Sequence, residues 1–399
     1  MKVDDAVILV GGLGSRLGSI TSKVPKPLLK IGDKSFLDHL LIKISKHNFK
    51  KIYLLCSYKK KVFFKLYNNK KIHNSKIICI DEGVRKGTGG ALFKLKNKIK
   101  KNFILFNGDT FFNIDIKNFL KNELKEYYGV IALTKKQNAP NNKILNNLKI
   151  NKKNILSFTQ RKNNLMNGGI YYLNKKIFKF VQNKNLSLEN DILFRLINEK
   201  KIKSFYYDDS FIDIGSKKKL SYLKNNLNFI KNKAFFLDRD GVINKENGYI
   251  LDFKDFYFLN GVKKAIKFLN DKKYFVIIIT NQASIGKSLL KESKLNQIHN
   301  KMKKEIFASS KGIVDDIFYS PYYKYSKKKI YRLNKHNRKP NNGMLKQAIY
   351  KWNISVDKSI FIGDKDTDRT AAFKSNVKFY FKKKISMYKQ VKDIINNEK

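Results

Sequence analysis

Two aspartates separated by one arginine, Asp238-Arg239-Asp240, follow an apolar run and precede Gly241. Side chains alternate along an extended chain, so both carboxylates point to one side. One can attack phosphorus while the other protonates the leaving oxygen, a division that needs two acids in different surroundings. Matching residues follow. Thr280-Asn281-Gln282 closes a later apolar run and offers a hydroxyl and amides to phosphate oxygens. Lys339, in Arg338-Lys339-Pro340, can offset the charge of an aspartyl phosphate. Asp364, after Gly363, adds a carboxylate for Mg²⁺ beside Asp238 and Asp240, with Asp368 to orient it.

A second phosphate chemistry is written near the N-terminus. Gly11, Gly12 and Gly14 follow an apolar run directly, with Ser15 next to them. Such glycines let backbone approach a phosphate, with the N–H groups of a following helix aimed at it. The spacing fits neither the G-x-G-x-x-G dinucleotide fingerprint nor the Walker A loop. Arg16 adds a cation for a triphosphate, and Lys26 is held between Pro25 and Pro27, which fix the backbone that presents it. Gly87-Thr88-Gly89-Gly90 offers another tight approach. Asp109, after Asn107-Gly108, is placed as a hard Mg²⁺ ligand, and Asp213 supplies a second carboxylate from a distant segment. Each aspartate alone reads equally as a cap or turn residue; the ordered set reads as a nucleotide site.

The elements that must position these residues are short apolar runs alternating with helix-like segments, the pattern of α/β folds. Strands are predicted at 6–10, 51–57, 76–81, 102–107, 129–134, 168–173 and 211–215, with helices over 36–47 and 189–198. Residues 140–166, rich in Asn and Lys, are expected to form short strands and loops over the site. A second series begins at Lys233, with strands at 234–237, 274–280, 316–319, 359–362 and 377–380. Two domains are expected, 1–229 and 233–399, joined by too few residues for a floppy linker.

Composition bounds the partners. Lys+Arg 85 against Asp+Glu 32 gives a net charge of +53. The lysines are dispersed from end to end, which suits solvated surfaces better than a nucleic-acid groove and still attracts sugar phosphates and nucleotides. No specific nucleic acid and no membrane partner is expected; a homo-oligomer is compatible. Cys56 and Cys79 sit in apolar runs without metal-ligand spacing and read as buried strand residues. The acidic N-terminus lacks the charge of a signal peptide, so a cytoplasmic protein is expected.

Residues 1–229 resemble the sugar-1-phosphate nucleotidyltransferases, a Rossmann-like, GT-A-like mixed sheet. The motifs GGLGSRL, PKP, GTGGA, NGD, NGGIY, SLENDIL and FIDIG, in that order, are most similar to the branch that activates D-glycero-D-manno-heptose 1-phosphate. The resemblance implies that Gly11, Gly12, Gly14, Ser15, Gly87 and Gly89 bind nucleotide with Arg16, and that Lys26 neutralises phosphate. It implies Mg²⁺ on Asp109 and Asp213, and a sugar pocket lined by Gly169 and Glu189.

From residue 233 the chain resembles the haloacid dehalogenase (HAD) phosphatases, a doubly wound parallel sheet, through FFLDRDGVIN, TNQ, RKP and GDKDTD. The branch is that of heptose bisphosphate and histidinol phosphate phosphatases. This implies Asp238 as nucleophile, Asp240 as general acid/base, substrate contacts at Thr280, Asn281 and Arg338, and Mg²⁺. One departure is plain. That branch usually carries a zinc loop of Cys and His ahead of RKP, where this chain has Ser320, Tyr322, Lys335 and Asn337. His336 alone cannot hold zinc. No structural Zn²⁺ is expected, and the loop must order itself by Tyr and Leu packing.

A phosphatase fused to a sugar-1-phosphate nucleotidyltransferase must spare the anomeric phosphate. The joint reading is therefore 7-phosphate removal from a heptose 1,7-bisphosphate, then nucleotidyl transfer with GTP favoured over ATP. A hexose or a histidinol-phosphate-like substrate is the alternative. A nucleic-acid end-processing phosphatase would need clustered basic and aromatic residues, and the sequence shows dispersion.

Overall fold

Strands buried on both faces need continuous apolar runs and helices to cover them, and this chain supplies both twice. The structure, a computed structural model, describes residues 3–47, 49–135, 148–160, 164–333 and 335–398. It divides into two units, Met1–Ile230 and Lys231–Lys399.

In the first unit, eight strands form one sheet in the spatial order Ile202–Tyr206, Gly129–Lys135, Leu165–Leu173, Phe103–Asn107, Asp5–Leu9, Lys51–Cys56, Ser75–Asp81 and Lys71–Ile72. Asp5–Leu9 runs parallel to both its neighbours, while Leu165–Leu173 and Lys71–Ile72 run antiparallel, so the sheet is mixed. Alternate residues feed two cores. Ile8, Leu54 and Phe106 pack on one face, Val7, Leu55 and Leu105 on the other. The chain leaves the Asp5–Leu9 strand toward both sides in turn, which opens a crevice beyond the carboxyl ends of the central strands. The expected helix over 36–47 is observed as Phe36–Ser45, started by a capping box between Ser35 and Asp38.

Three local features depart from simple periodicity. The Leu165–Leu173 strand starts earlier than predicted, and its register shifts between Asn167 and Tyr171. Gly169 lies at φ 72° there, and a Cβ on Gly168 would sit 2.5 Å from the Phe112 ring. A bulge like this re-aims side chains and breaks the alternation that sequence reading relies on. The helix expected over 189–198 begins as a π-turn, Leu188–Leu193, and becomes α-helical only at Phe194–Asn198. Of the predicted cover at 140–166, residues 140–147 and 161–163 lie outside the described residues. Leu148–Ile150 and Leu156–Phe158 form an antiparallel hairpin.

In the second unit, five parallel strands stand in the order Asp316–Ser320, Phe275–Asn281, Ala234–Leu237, Ile360–Gly363 and Lys378–Phe381. The first strand in sequence is again central, so the sheet is doubly wound about it. Among the described residues no helix is long and apolar enough to cross a membrane.

The segment ahead of Arg338, expected to order itself by Tyr and Leu packing, is tied down by hydrogen bonds. Tyr319 and Tyr331 donate to the two oxygens of Glu292, at 3.1 and 3.0 Å, and the Tyr323 amide donates to the Tyr331 carbonyl at 3.1 Å. Tyrosine hydroxyls therefore do the ordering. The leucine packing expected here is absent: Leu333 is 64% exposed. Hydrogen bonds to a charged acceptor each contribute on the order of 1.5–3 kcal/mol. Glu292→Ala should lower the stability of the second unit by about 2 kcal/mol in urea unfolding, whereas a zinc-selective chelator, added with Mg²⁺ held in excess, should leave its midpoint unchanged. A midpoint lowered by that chelator would contradict this account.

Candidate active sites

At the first site the chain turns sharply after the Asp5–Leu9 strand. Gly14 adopts φ 70°, and a Cβ there would lie 2.9 Å from the Thr21 methyl and 3.2 Å from Lys26 Cβ. Gly12 faces open space, with no atom within 4 Å of an added Cβ. Ser15 and Arg16 lie in a single 3-10 turn, Ser15–Leu17, followed by a helix of only five residues, Ser19–Lys23. A helix thus follows the loop as expected, but it is short.

Backbone pairing brings the segments of Asp109 and Asp213 together. The Phe211–Asp213 strand pairs with Thr110–Phe112 so that Asp213 stands opposite Thr110, and the Ile214 amide donates to the Asp109 carbonyl at 2.9 Å. Lys26, buried, pairs with Asp109; Lys219, which sequence reading passed over, pairs with Asp213. Burial pushes the Asp109 carboxyl up, but Lys26, Thr110 and Arg16 more than offset it and hold its pKa below the usual range. Arg16 reaches the same place, its Nη2 lying 3.3 Å from an added Cβ on Gly215.

Gly87 and Gly89 make a protein contact that the sequence did not suggest. The Gly89 and Gly90 amides both donate to the Leu186 carbonyl, at 2.8 and 3.1 Å, and a Cβ on Gly87 would collide with the same oxygen. These glycines admit the 184–188 backbone. That approach places Glu189, in its π-turn, against Thr88 Oγ1 at 2.8 Å and Tyr171 Oη at 3.3 Å. Wide turns of this kind recur at functional sites. Gly169 packs against Asn107, whose Oδ1 is buried without a donor among the described residues.

Glu82 also escaped notice in the sequence. It follows the Ser75–Asp81 strand and lies 2.7 Å from an added Cβ on Gly11, and its carboxylate has no hydrogen-bond partner among the described residues. Burial raises its pKa to about 7, against the pull of Arg85 and with help from Asp81.

The second site is a cavity of about 550 Å³ lined by Asp238, Asp240, Thr280, Asn281, Arg338 and Lys339, among others. Lys339 is its electrostatic hub. The buried ammonium lies 2.8 Å from Asp238 Oδ1, 2.7 Å from Asp368 Oδ1 and 2.9 Å from the Ile279 carbonyl. Burial lowers its pKa, and the two aspartates overcome this and raise it. Asn281, which lines the cavity, also clamps this lysine's backbone. Its amide exchanges two bonds of 3.1 Å with the Lys339 N–H and carbonyl. Thr280 Oγ1 accepts from Gln282 at 2.9 Å. Arg338 is half-buried and bonds only the Tyr322 carbonyl, at 3.3 Å, leaving its charge without a carboxylate partner among the described residues.

The carboxylates that cluster are Asp238, Asp364 and Asp368, with ligand atoms within 4.8 Å of one another. Asp240, grouped with the metal ligands from sequence, is not among them. Its two oxygens are taken by Arg239, Asn244 and Gln282, at 2.9–3.1 Å. Asp364 Oδ1 is buried without a donor. A hard dication fits this set of oxygens, and it fits Asp109 with Asp213 in the number of carboxylates Mg²⁺ takes when phosphates complete its shell.

Residues 5–229 match the nucleotidyl transferase family and residues 231–393 match polynucleotide kinase 3 phosphatase. Over 217 residues the chain is 37% identical to a D-glycero-alpha-D-manno-heptose 1-phosphate guanylyltransferase of Campylobacter jejuni, which spans 53% of this chain and 94% of that protein. Over 146 residues it is 38% identical to a D-glycero-beta-D-manno-heptose-1,7-bisphosphate 7-phosphatase of Haemophilus ducreyi, 37% of this chain and 80% of that protein. A bifunctional protein GlmU of Methanococcus aeolicus is 32% identical over 237 residues, 57% of this chain; the match spans only 55% of that protein.

Burial, outweighing Lys339, raises Asp238 to about 7, and burial followed by Asp368 raises Asp364 to about 6. Both values exceed the unfolded one of about 3.9. The metal-free fold therefore holds protons that the unfolded chain has released, and loses stability as pH rises from about 4 to about 7. A dication relieves that penalty and competes with protons to bind. Thermal stabilisation of the second unit by Mg²⁺ should be larger at about pH 8 than at about pH 5; equal shifts would contradict the cluster's assignment as a cation site.

Proposed function

The chain belongs to the nucleotidyl transferase family, matched over residues 5–229, and from that premise we propose that its two units act in turn on one sugar. The second unit removes the 7-phosphate of a D-glycero-D-manno-heptose 1,7-bisphosphate, and the first joins the remaining 1-phosphate to a nucleotide. The observation carrying this reading is the pairing of two phosphate sites whose relatives handle successive forms of one heptose. Arg338, a half-buried cation without a carboxylate partner among the described residues, supports a substrate with a second phosphate.

In the second unit Asp238 attacks phosphorus and the bond to the C7 oxygen breaks, with Asp240 donating the proton to that oxygen. Water then attacks the aspartyl phosphate while Asp240 takes its proton, and inorganic phosphate leaves. Lys339 compensates the charge on Asp238 throughout. In the first unit an oxygen of the sugar 1-phosphate attacks the α-phosphorus of a triphosphate and pyrophosphate departs, with Lys26 and Arg16 spreading the charge. Mg²⁺, held by Asp109 with Asp213 and by Asp238 with Asp364, would supply Lewis-acid charge neutralisation at each site.

GTP is the favoured donor. Guanine presents two adjacent N–H donors on one edge, which a carboxylate can accept together, and Glu82 offers an unpartnered carboxylate beside the glycine loop. Asn107 and Glu189 offer acceptors for sugar hydroxyls.

Mass spectrometry after incubation with heptose 1,7-bisphosphate, GTP, ATP and Mg²⁺ should show phosphate release and a GDP-heptose. Asp238→Asn should stop the bisphosphate but still convert supplied heptose 1-phosphate, and Asp109→Asn should do the reverse. Absence of either phosphate or pyrophosphate release from the unaltered protein overturns the proposal. Glu82→Gln should lower kcat/KM for GTP by roughly 100-fold and narrow the preference over ATP, measured by pyrophosphate release.

A second reading is motivated by the match of residues 231–393 to polynucleotide kinase 3 phosphatase. Release of phosphate from a 3′-phosphorylated oligonucleotide in preference to the heptose bisphosphate would favour it.

A further inference from the structure

We infer that His299, on the Glu292–Ser310 helix, is a positioning residue for the acid/base step of the second site, acting on Asp240 through Arg239. This rests on the phosphatase reading above. Arg239 separates the two reactive aspartates in sequence, yet its side chain is 1% exposed and binds only one of them. Its Nε donates to Asp240 Oδ1 at 3.1 Å, and its Nη2 to both Asp240 oxygens at 2.9 Å. Asn244 reaches Oδ1 alone, at 3.0 Å, and Gln282 reaches Oδ2 alone, at 2.9 Å. The guanidinium fork is therefore what sets the plane of the carboxylate.

The far end of that fork meets His299, with Arg239 Nη1 3.2 Å from His299 Nε2. A guanidinium has five donors and no acceptor, so Nε2 must accept and the ring proton sits on Nδ1. Burial, then the charges of Arg239 and Lys303, push the imidazole pKa down to about 3, which keeps this acceptor available across the working range. The Tyr319 ring stands edge-on at 6.1 Å and closes the other side. Without an acceptor, a fully buried Nη1 would carry an unmade hydrogen bond, and the guanidinium would tilt to find one. Asp240 would tilt with it. Displacement of a reacting group by about 1 Å can lower a rate on the order of 100-fold.

The test uses the full chain with Mg²⁺ and two phosphate esters, an alkyl phosphate and p-nitrophenyl phosphate. The alkoxide leaving from the first needs a proton from Asp240, and the nitrophenolate leaving from the second does not. His299→Leu fills the space without an acceptor, and His299→Gln keeps one. His299→Leu should lower kcat/KM for the alkyl ester by about tenfold or more and for p-nitrophenyl phosphate by less than about threefold, while His299→Gln restores most of the loss. An equal fall for both esters would mean a structural role, and an unchanged rate in His299→Leu would mean no role; either outcome overturns the inference. If the unaltered protein hydrolyses neither ester, the heptose 1,7-bisphosphate takes the place of the alkyl ester and the same fall with rescue by His299→Gln is required; no phosphate release from any of the three removes the phosphatase reading itself, and the inference with it.

Discussion

A buried ammonium between two buried carboxylates is the interaction on which the second unit depends. Lys339 stands within 2.8 Å of both Asp238 and Asp368. Two carboxylates this close cannot both stay ionised in a low-dielectric interior without a cation, and one lysine alone leaves the set net negative. The residual charge is what a hard dication would neutralise. The first unit repeats the device in a looser form, with Lys26 on Asp109 and Lys219 on Asp213. In both units the fold must place cations before the chemistry can be considered.

Placement follows from topology. Each sheet has its earliest strand near the middle, flanked by parallel neighbours, and each site forms where successive crossovers diverge. The groups then come from turns at the ends of adjacent strands. Asp109 follows Phe103–Asn107, Asp238 follows Ala234–Leu237, and Asp364 follows Ile360–Gly363. Outer parts are recruited by secondary contacts. The short Phe211–Asp213 ladder delivers Asp213, and the Asn281 amide fixes the backbone of Lys339.

The strands and the aspartates in the turns that end them were legible because buried parallel strands have a continuous apolar signature and their terminal turns stand out against it. What escaped was information carried by contacts between distant segments. Gly87 and Gly89 look like a phosphate turn in sequence, but only the partner carbonyl of Leu186 shows what their missing side chains admit. Asn281 stands in a short polar motif after a strand, and the motif gives no sign that its amide also clamps the Lys339 backbone. Asp240 was grouped with the metal ligands because alternation places it on the side of Asp238, and alternation says nothing about Arg239 folding back to claim it. Glu82 and Lys219 have no local signal at all. The π-turn at Leu188–Leu193 and the bulge near Gly169 interrupt the regular periods that the predicted boundaries assume.

The Glu292–tyrosine clip has a chemical corollary. A zinc loop depends on thiolates, which oxidants, alkylating agents and competing soft metals attack. Both cysteines of this chain, Cys56 and Cys79, are buried in the first unit, so the second contains no thiol at all. Its loop is held by phenol and carboxylate oxygens, which cannot form disulfides and bind soft metals poorly. Ordering of the segment that leads to Arg338 and Lys339 is thereby uncoupled from the redox state of the surroundings.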